Sequence, residues 1–444
     1  MLLIFFPFVG FFGYIFFGQN FRKNKKLKLK GIEDKIHRCR VLEEIKLYSK
    51  KIYFNDPEME VYRDNIHLNL VSSESLFTQD NQVEIYVTGS EKFDSLLKSL
   101  ESARKYIHLE YYIFRSDNLG KKIISILEEK AKQGVEVKLL YDAIGGINLS
   151  TLFFKNLKHN GGHVACFFPS FLYYFNLRVN YRNHRKIAII DGEEAFVGGF
   201  NIGDEYLGLS KRYGLWRDTH LKIKGSAVND LQRQFIFDWQ FASKNEMKFA
   251  EKEYFQNQKN YGKTGIQIVS SGPDSKWTSI KDSYFKIINS SRKNIYIQSP
   301  YFIPDESIFE ALKVAALSGI DVRIIIPDKP DQIFVHWASS SYMGELLESG
   351  ARCYQYNNGF MHSKMLVSDG RVASVGTANI DIRSFYLNFE VNAFIYDRSV
   401  AESLEESFIK DISNSTEITL EMYSQRKLNI KIKESVSRLL SSLL

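Results

Sequence analysis

The apolar run YIHLEYYIF from Tyr106, the two-sided stretch GKKIISILEEKAKQG and the apolar VEVKLLYDA follow one another along the chain. In the middle stretch apolar residues recur at three- and four-residue steps, as on one face of a helix, while the flanking runs are short and rich in aromatic and β-branched residues. The pattern predicts a strand, an amphipathic helix and a second strand, a unit that needs a parallel sheet. NIYIQSPYFIP, DESIFEALKVAALSG and IDVRIIIPD repeat that order in the second half, and Gly134 and Gly319 each close the corresponding helix. The copies stand 188 residues apart at Ile107 and Ile295 (295 − 107), 185 at Gly134 and Gly319 (319 − 134) and 178 at His184 and His362 (362 − 184). So steady an offset marks an internal duplication. In each half, IAIIDG or MLVSDG turns through Asp-Gly into EAFVGGFNI or RVASVGTANI, which is a hairpin signal.

The pattern therefore predicts an α/β protein of two similar domains, each a mixed sheet flanked by helices, related by a pseudo-two-fold axis. The domains are expected at residues 82–245 and 262–444, with the boundary in the polar, charged stretch 244–262. Residues 22–81 read as a basic and helical linker that ends in a polar connection. At the far end KESVSRLLSSLL reads as a short amphipathic helix that caps the second domain or lies on lipid.

MLLIFFPFVGFFGYIFFGQNF, residues 1–21, contains no charged side chain. At about 1.5 Å per residue it reaches the roughly 30 Å of a hydrocarbon core, so a transmembrane anchor is expected there. RKNKKLKLK follows with six Lys or Arg between Arg22 and Lys30. A positive flank favours the cytoplasmic side, which puts the rest of the chain in the cytoplasm of a membrane-anchored protein. A cleaved signal peptide would carry its charges before the apolar run. The rest of the composition is that of a globular protein, with 44% hydrophobic and 25% charged residues over 444 positions. The net charge of +7 suits anionic phosphates, whether of nucleic acid or of a membrane surface. Cys39, Cys166 and Cys353 are too widely spaced for a disulfide framework or a cysteine zinc site.

The candidate chemistry is also duplicated. His184, Lys186 and Asp191 in NHRKIAIID recur as His362, Lys364 and Asp369 in MHSKMLVSD. Asn201 and Asn379 each follow 17 residues after their histidine (201 − 184 and 379 − 362). A histidine and a lysine two apart on a strand share a face, whereas an aspartate five beyond the lysine faces away. This twofold H-x-K-x-x-x-x-D pattern resembles the phospholipase D superfamily. WRDTHLKIKG from Trp216, QSPYFIPDES from Gln298, GFMHSK from Gly359 and RSFYLNFEVN from Arg383 are similar to its bacterial cardiolipin synthase branch, and the likeness extends over essentially the whole chain.

The resemblance implies a membrane enzyme that transfers a phosphatidyl group from one phosphatidylglycerol to another, through a phosphohistidine intermediate, to give cardiolipin and glycerol. A phosphodiester anion repels nucleophiles, so its charge must be neutralised. Lys186 and Lys364 supply charge and Asn201 and Asn379 amide donors, while the two histidines divide the roles of nucleophile and general acid, His184 being expected as the nucleophile. Asp191 and Asp369 belong to the motif and are carried with the catalytic set, orienting a histidine or serving the Asp-Gly turn. Glu205 and Glu390 are candidates for holding a histidine, the alternative being surface carboxylates. His220 and Arg383 are weaker candidates for headgroup binding. No metal or other cofactor is expected, since lysines replace a divalent cation and no H-E-x-x-H, Walker A or EF-hand pattern occurs. Phosphatidylglycerol and anionic lipid are the expected partners, and nucleic acid is not. The competing readings are a hydrolytic phospholipase D, an anchored nuclease and a degenerate lipid-binding relative.

Overall fold

A computed structural model of the chain describes residues 35–48, 53–169, 181–243, 254–255, 259–329 and 331–441. The expected anchor at 1–21, its basic flank and most of the 244–262 boundary lie outside the described residues. Among the described residues no helix is long and apolar enough to cross a membrane.

The first half contributes β1 (Thr78–Thr88), β2 (Tyr106–Tyr111), β3 (Glu136–Asp142), β4 (His163–Phe167), β5 (Arg182–Asn183), β6 (Lys186–Ile190), β7 (Glu194–Gly198) and β8 (Trp216–Lys224). The second contributes β9 (Thr264–Ser271), β10 (Asn294–Gln298), β11 (Phe302–Ile303), β12 (Asp321–Pro327), β13 (Arg352–Tyr356), β14 (Phe360–Met361), β15 (Met365–Ser368), β16 (Val372–Gly376), β17 (Ile380–Asp381), β18 (Asn388–Tyr396) and β19 (Ser415–Ile418). The first sheet runs β4-β3-β2-β6-β7-β8-β1, parallel from β4 to β2 and antiparallel beyond. The second runs β13-β12-β10-β15-β16-β18-β9 with the same senses, and β19 adds an outer edge. Equivalent strands thus take equivalent places, as the duplication predicts. The two sheets meet where β1 and β9 pair antiparallel, Thr78 opposite Ile266 and Asn81 opposite Thr264.

Strands buried on both faces need apolar residues throughout, and β6 (KIAII), β15 (MLVS) and β18 (NFEVNAFIY) are buried at every position. Between the sheets, Ile187, Ile189, Leu221 and Ile223 of one meet Val367, Ala373, Val391 and Ile395 of the other in a shared core with the helix Ala227–Ser243. The helices Gly89–Ser102 and Asn118–Lys132 close the outer face of the first sheet. Ser279–Ser290, Glu306–Leu317 and Ile333–Glu348 close that of the second. The helix Arg63–Ser73, in the stretch read as linker, buries Ile66 and Leu70 in this second core, and Asn65 Nδ2 donates to Tyr396 Oη at 2.8 Å. The C-terminal helix Leu428–Leu439 packs against Ile333–Glu348, where Arg438 pairs with Glu345 at 2.8 Å.

The motif aspartates sit in left-handed turns, at φ 55° for Asp191 and 56° for Asp369. Their carboxylates accept from the backbone that enters the next strand of the sheet. Asp191 takes the amides of Arg104, Lys105 and Tyr106 at 2.8, 2.7 and 2.9 Å, and Asp369 those of Arg292, Lys293 and Asn294 at 2.9, 2.7 and 3.1 Å. They stand five residues, roughly 16 Å of strand, beyond the motif lysines. The expectation that they belong with the catalytic residues is corrected: strand alternation and the turn direct each onto backbone amides, away from both histidines. Asp191→Ala or Asp369→Ala should therefore cost about 2 kcal/mol of stability through orphaned amides, lowering the melting temperature by several degrees; calorimetry showing wild-type melting for both would refute this capping role.

Candidate active site

Each histidine is positioned by the opposite half of the molecule. β5, just before His184, pairs in parallel with the start of β18, and β14, just before His362, pairs in parallel with the start of β8. The His184 amide then donates to the Phe389 carbonyl at 2.9 Å, and the His362 amide to the Arg217 carbonyl at 2.7 Å. Glu390 and Asp218 come next in those strands. His184 Nδ1 lies 3.0 Å from both carboxylate oxygens of Glu390, and His362 Nδ1 lies 2.8 Å from Asp218 Oδ2. Holding Nδ1–H on a carboxylate leaves Nε2 with its lone pair for chemistry.

The motif lysines are buried behind the rings. Lys186 Nζ donates to the His184 carbonyl at 2.6 Å, and Lys364 Nζ to the His362 carbonyl. Lys364 Nζ also lies 2.7 Å from His362 Nδ1. That nitrogen can serve only one partner, and the carboxylate, an acceptor with no proton of its own, takes its N–H. Burial draws the Lys186 ammonium down to about 7 against the pull of Glu390, and that of Lys364 down to about 8 against Asp218. Burial and the Lys364 charge push His362 down to about 3; burial also lowers His184, with Glu390 opposing. Burial alone would raise the two carboxyls. Lys364 and His362 outweigh it for Asp218, and His184 and Lys186 for Glu390, so both stay below the usual carboxylate range. At neutral pH the site thus holds two neutral imidazoles, each on an ionised carboxylate.

His184, His362, Asn201 and Asn379 line one cavity of about 540 Å³. The expected site residues thus converge across the domain interface. The wholly buried lysines lie outside this wall. Asn201 Oδ1 accepts from the Ile113 amide at 3.0 Å and its Nδ2 donates to Tyr206 Oη at 3.2 Å, while Asn379 Nδ2 donates to Asp381 at 3.0 Å. Of the two candidate glutamates, Glu390 holds a histidine. Glu205 does not: it lies on the cavity wall, 3.6 Å from Arg115. His220 is wholly buried, with neither ring nitrogen hydrogen-bonded among the described residues, so it is a core residue and not a headgroup ligand. Arg383 lines the cavity. Among the described residues no three His, Cys, Asp or Glu side chains are grouped to hold a metal ion.

Asp218 was missed by the sequence reading. It is the third residue of β8 as Glu390 is the third of β18, and these strands start 172 residues apart (388 − 216). Carrying the motif offset of 178 back from Glu390 lands on Arg212 (390 − 178), because the connection before β8 is six residues longer (178 − 172). A repeat alignment allowing that insertion would have placed Asp218 opposite Glu390.

The family described as cardiolipin synthase, PLD-like domain, matches residues 96–239 and 284–412. The chain is 51% identical to a cardiolipin synthase of Listeria monocytogenes serotype 4a (strain HCC23), covering all of this chain and 92% of that one. It is 49% identical to the major cardiolipin synthase ClsA of Bacillus subtilis (strain 168), with the same coverage. The crystal structure of a phosphatidylserine synthase from Haemophilus influenzae Rd KW20 superposes with a TM-score of 0.65 over 87% of this chain and all of that one, at 16% identity. That last likeness concerns the fold alone.

The depressed His362 basicity has a consequence for stability. An unfolded histidine takes up a proton near pH 6.5, whereas the folded ring stays neutral down to about 3. Between those values the unfolded chain binds more protons, so this contribution is full above about pH 6.5 and is lost as pH falls toward 3. Thermal melts from pH 7 to 5 should decline less steeply for His362→Asn than for wild type; equal slopes would contradict the neutral buried ring.

Proposed function

The chain belongs to the cardiolipin synthase family of phospholipase D-like proteins, and from that premise we propose that it condenses two phosphatidylglycerol molecules into cardiolipin and glycerol. The observation that carries the reading is the crossed pairing of His184 with Glu390 and His362 with Asp218 on one cavity. His184 Nε2 attacks the phosphorus of the first lipid, the bond from phosphorus to the glycerol headgroup oxygen breaks, and His362 gives its Nε2 proton to that oxygen. The anionic diester favours the protonated form of His362 that this step needs. A headgroup hydroxyl of the second lipid then attacks the phosphatidyl-histidine, passes its proton to His362 and releases His184. Glu390 and Asp218 hold the rings in the required tautomer and stabilise the imidazolium forms. Lys186 and Lys364 lower the potential at the reacting phosphate, and Asn201 and Asn379 offer it amide donors.

The catalytic unit comprises the two halves, 82–245 and 262–444. It works at a bacterial cell membrane, held by the apolar segment 1–21, with the basic residues from Arg22 to Lys30 keeping it on the cytoplasmic side and among anionic lipid. Water as acceptor would make the same site a hydrolase.

Purified protein with phosphatidylglycerol in mixed micelles should yield cardiolipin and glycerol by mass spectrometry. Phosphatidic acid and glycerol without cardiolipin would overturn the synthase reading. Asp218→Asn and Glu390→Gln should each slow turnover by about 10²- to 10⁴-fold, as loss of acid–base catalysis does. A p-nitrophenyl phosphatidyl ester needs no proton on its leaving group, so His362→Asn should accumulate a phosphatidyl group on the His184 peptide. Label found elsewhere would reject His184 as the nucleophile.

A further inference from the structure

The catalytic groups repeat across the pseudo-two-fold axis, but the residues around them do not. At the His184 end, Arg182 of β5 faces Asn388, the first residue of β18. The equivalent pair at the His362 end is Phe360 facing Trp216, with the Trp216 and Phe360 rings 5.1 and 5.9 Å from the His362 ring. The motif offset equates Arg383 with Glu205 (383 − 205 = 178), and the strand offset equates Ile303 with Arg115 (303 − 115 = 188). These four residues also line the cavity. One end thus carries Arg182 and Arg383 on the cavity wall, with the Asp381 carboxylate also acting on Arg383, beside the Tyr112 ring that packs edge-on to His184 at 5.0 Å. The other end carries Glu205 with Arg115, and Asp331, which accepts from Tyr301 Oη. There Trp216 lines the cavity, and its buried indole N–H has no hydrogen-bond partner among the described residues.

Paired guanidiniums suit a phosphoryl anion. Carboxylates repel that anion but accept from hydroxyl groups, and an indole N–H donates to them. We infer that the cavity is chemically polarised: Arg182 and Arg383 hold the phosphoryl oxygens at the His184 end, while Trp216, Glu205 and Asp331 form a hydroxyl-recognising subsite at the His362 end for the leaving and the entering glycerol headgroup. The inference rests on the transfer reaction proposed above and gives it direction. In-line displacement puts the attacking nitrogen opposite the departing alcohol oxygen. An alcohol subsite beside His362 therefore leaves the attack to His184, a choice the duplication by itself does not make.

The test is a competition between acceptors. Full-length protein in phosphatidylglycerol micelles containing 1-butanol forms cardiolipin and phosphatidylbutanol from one phosphatidyl-enzyme, and butanol has no second or third hydroxyl to be recognised. In Glu205→Gln and in Asp331→Asn the ratio of cardiolipin to phosphatidylbutanol should fall at least tenfold. In Arg383→Gln the two products should fall together, with the KM for donor lipid raised and the ratio kept. An unchanged ratio in both carboxylate variants, or a ratio altered chiefly by Arg383→Gln, would overturn the assignment. Failure of the underlying reaction would look different, as absence of cardiolipin from the wild-type protein.

Discussion

The exchange of two short strands across the domain interface is the constraint from which the site follows. Each histidine emerges from a two-residue parallel pairing with the other half, and that half supplies the carboxylate behind it. A carboxylate as buried as Asp218 or Glu390 is costly without a partner, and a partner removed would leave that cost behind. Neither half alone satisfies its own histidine or its own acid. Each histidine therefore meets its carboxylate only when the two halves are packed together.

Buried ion pairs fix both ends of the exchange. Arg185, next to His184, places Nη1 at 2.7 Å from both carboxylate oxygens of Asp238 and donates from Nε to the Glu390 carbonyl at 3.2 Å. Arg217, next to Asp218, donates to Asp411 at 2.9 Å, and Gln298 reaches the same carboxylate at 2.8 Å. The first network ties the segment at His184 to the Glu390 backbone, and the second ties the segment at Asp218 to the second half. They are made by different residues, so the symmetry of function does not extend to the supports.

The duplicated frame encloses one cavity whose wall is not duplicated. The rings, acids and lysines repeat in both halves, each ring on the acid of the other half. The wall residues do not repeat: Arg182 and Arg383 stand where the other copy has Phe360 and Glu205.

The sequence by itself determined the duplicated α/β architecture, the His-x-Lys pairs and the asparagines, because period-two and period-3.6 patterning and a steady offset are local properties of the chain. Strand alternation already turned Asp191 and Asp369 away from the lysines, and the Asp-Gly pairs named the turns they occupy. Glu390 and Glu205 were legible as equal candidates from their positions after the motifs and the family resemblance, whereas Asp218 was hidden by a six-residue difference in loop length. Which carboxylate meets which histidine, the burial that draws Lys186, Lys364 and His362 toward their neutral forms, and the unlike ends of the cavity were decided by the tertiary structure. Hydrogen bonds across 206 and 144 residues and desolvation by both halves have no counterpart in any local pattern, since they exist only where the two sheets and their exchanged strands come together.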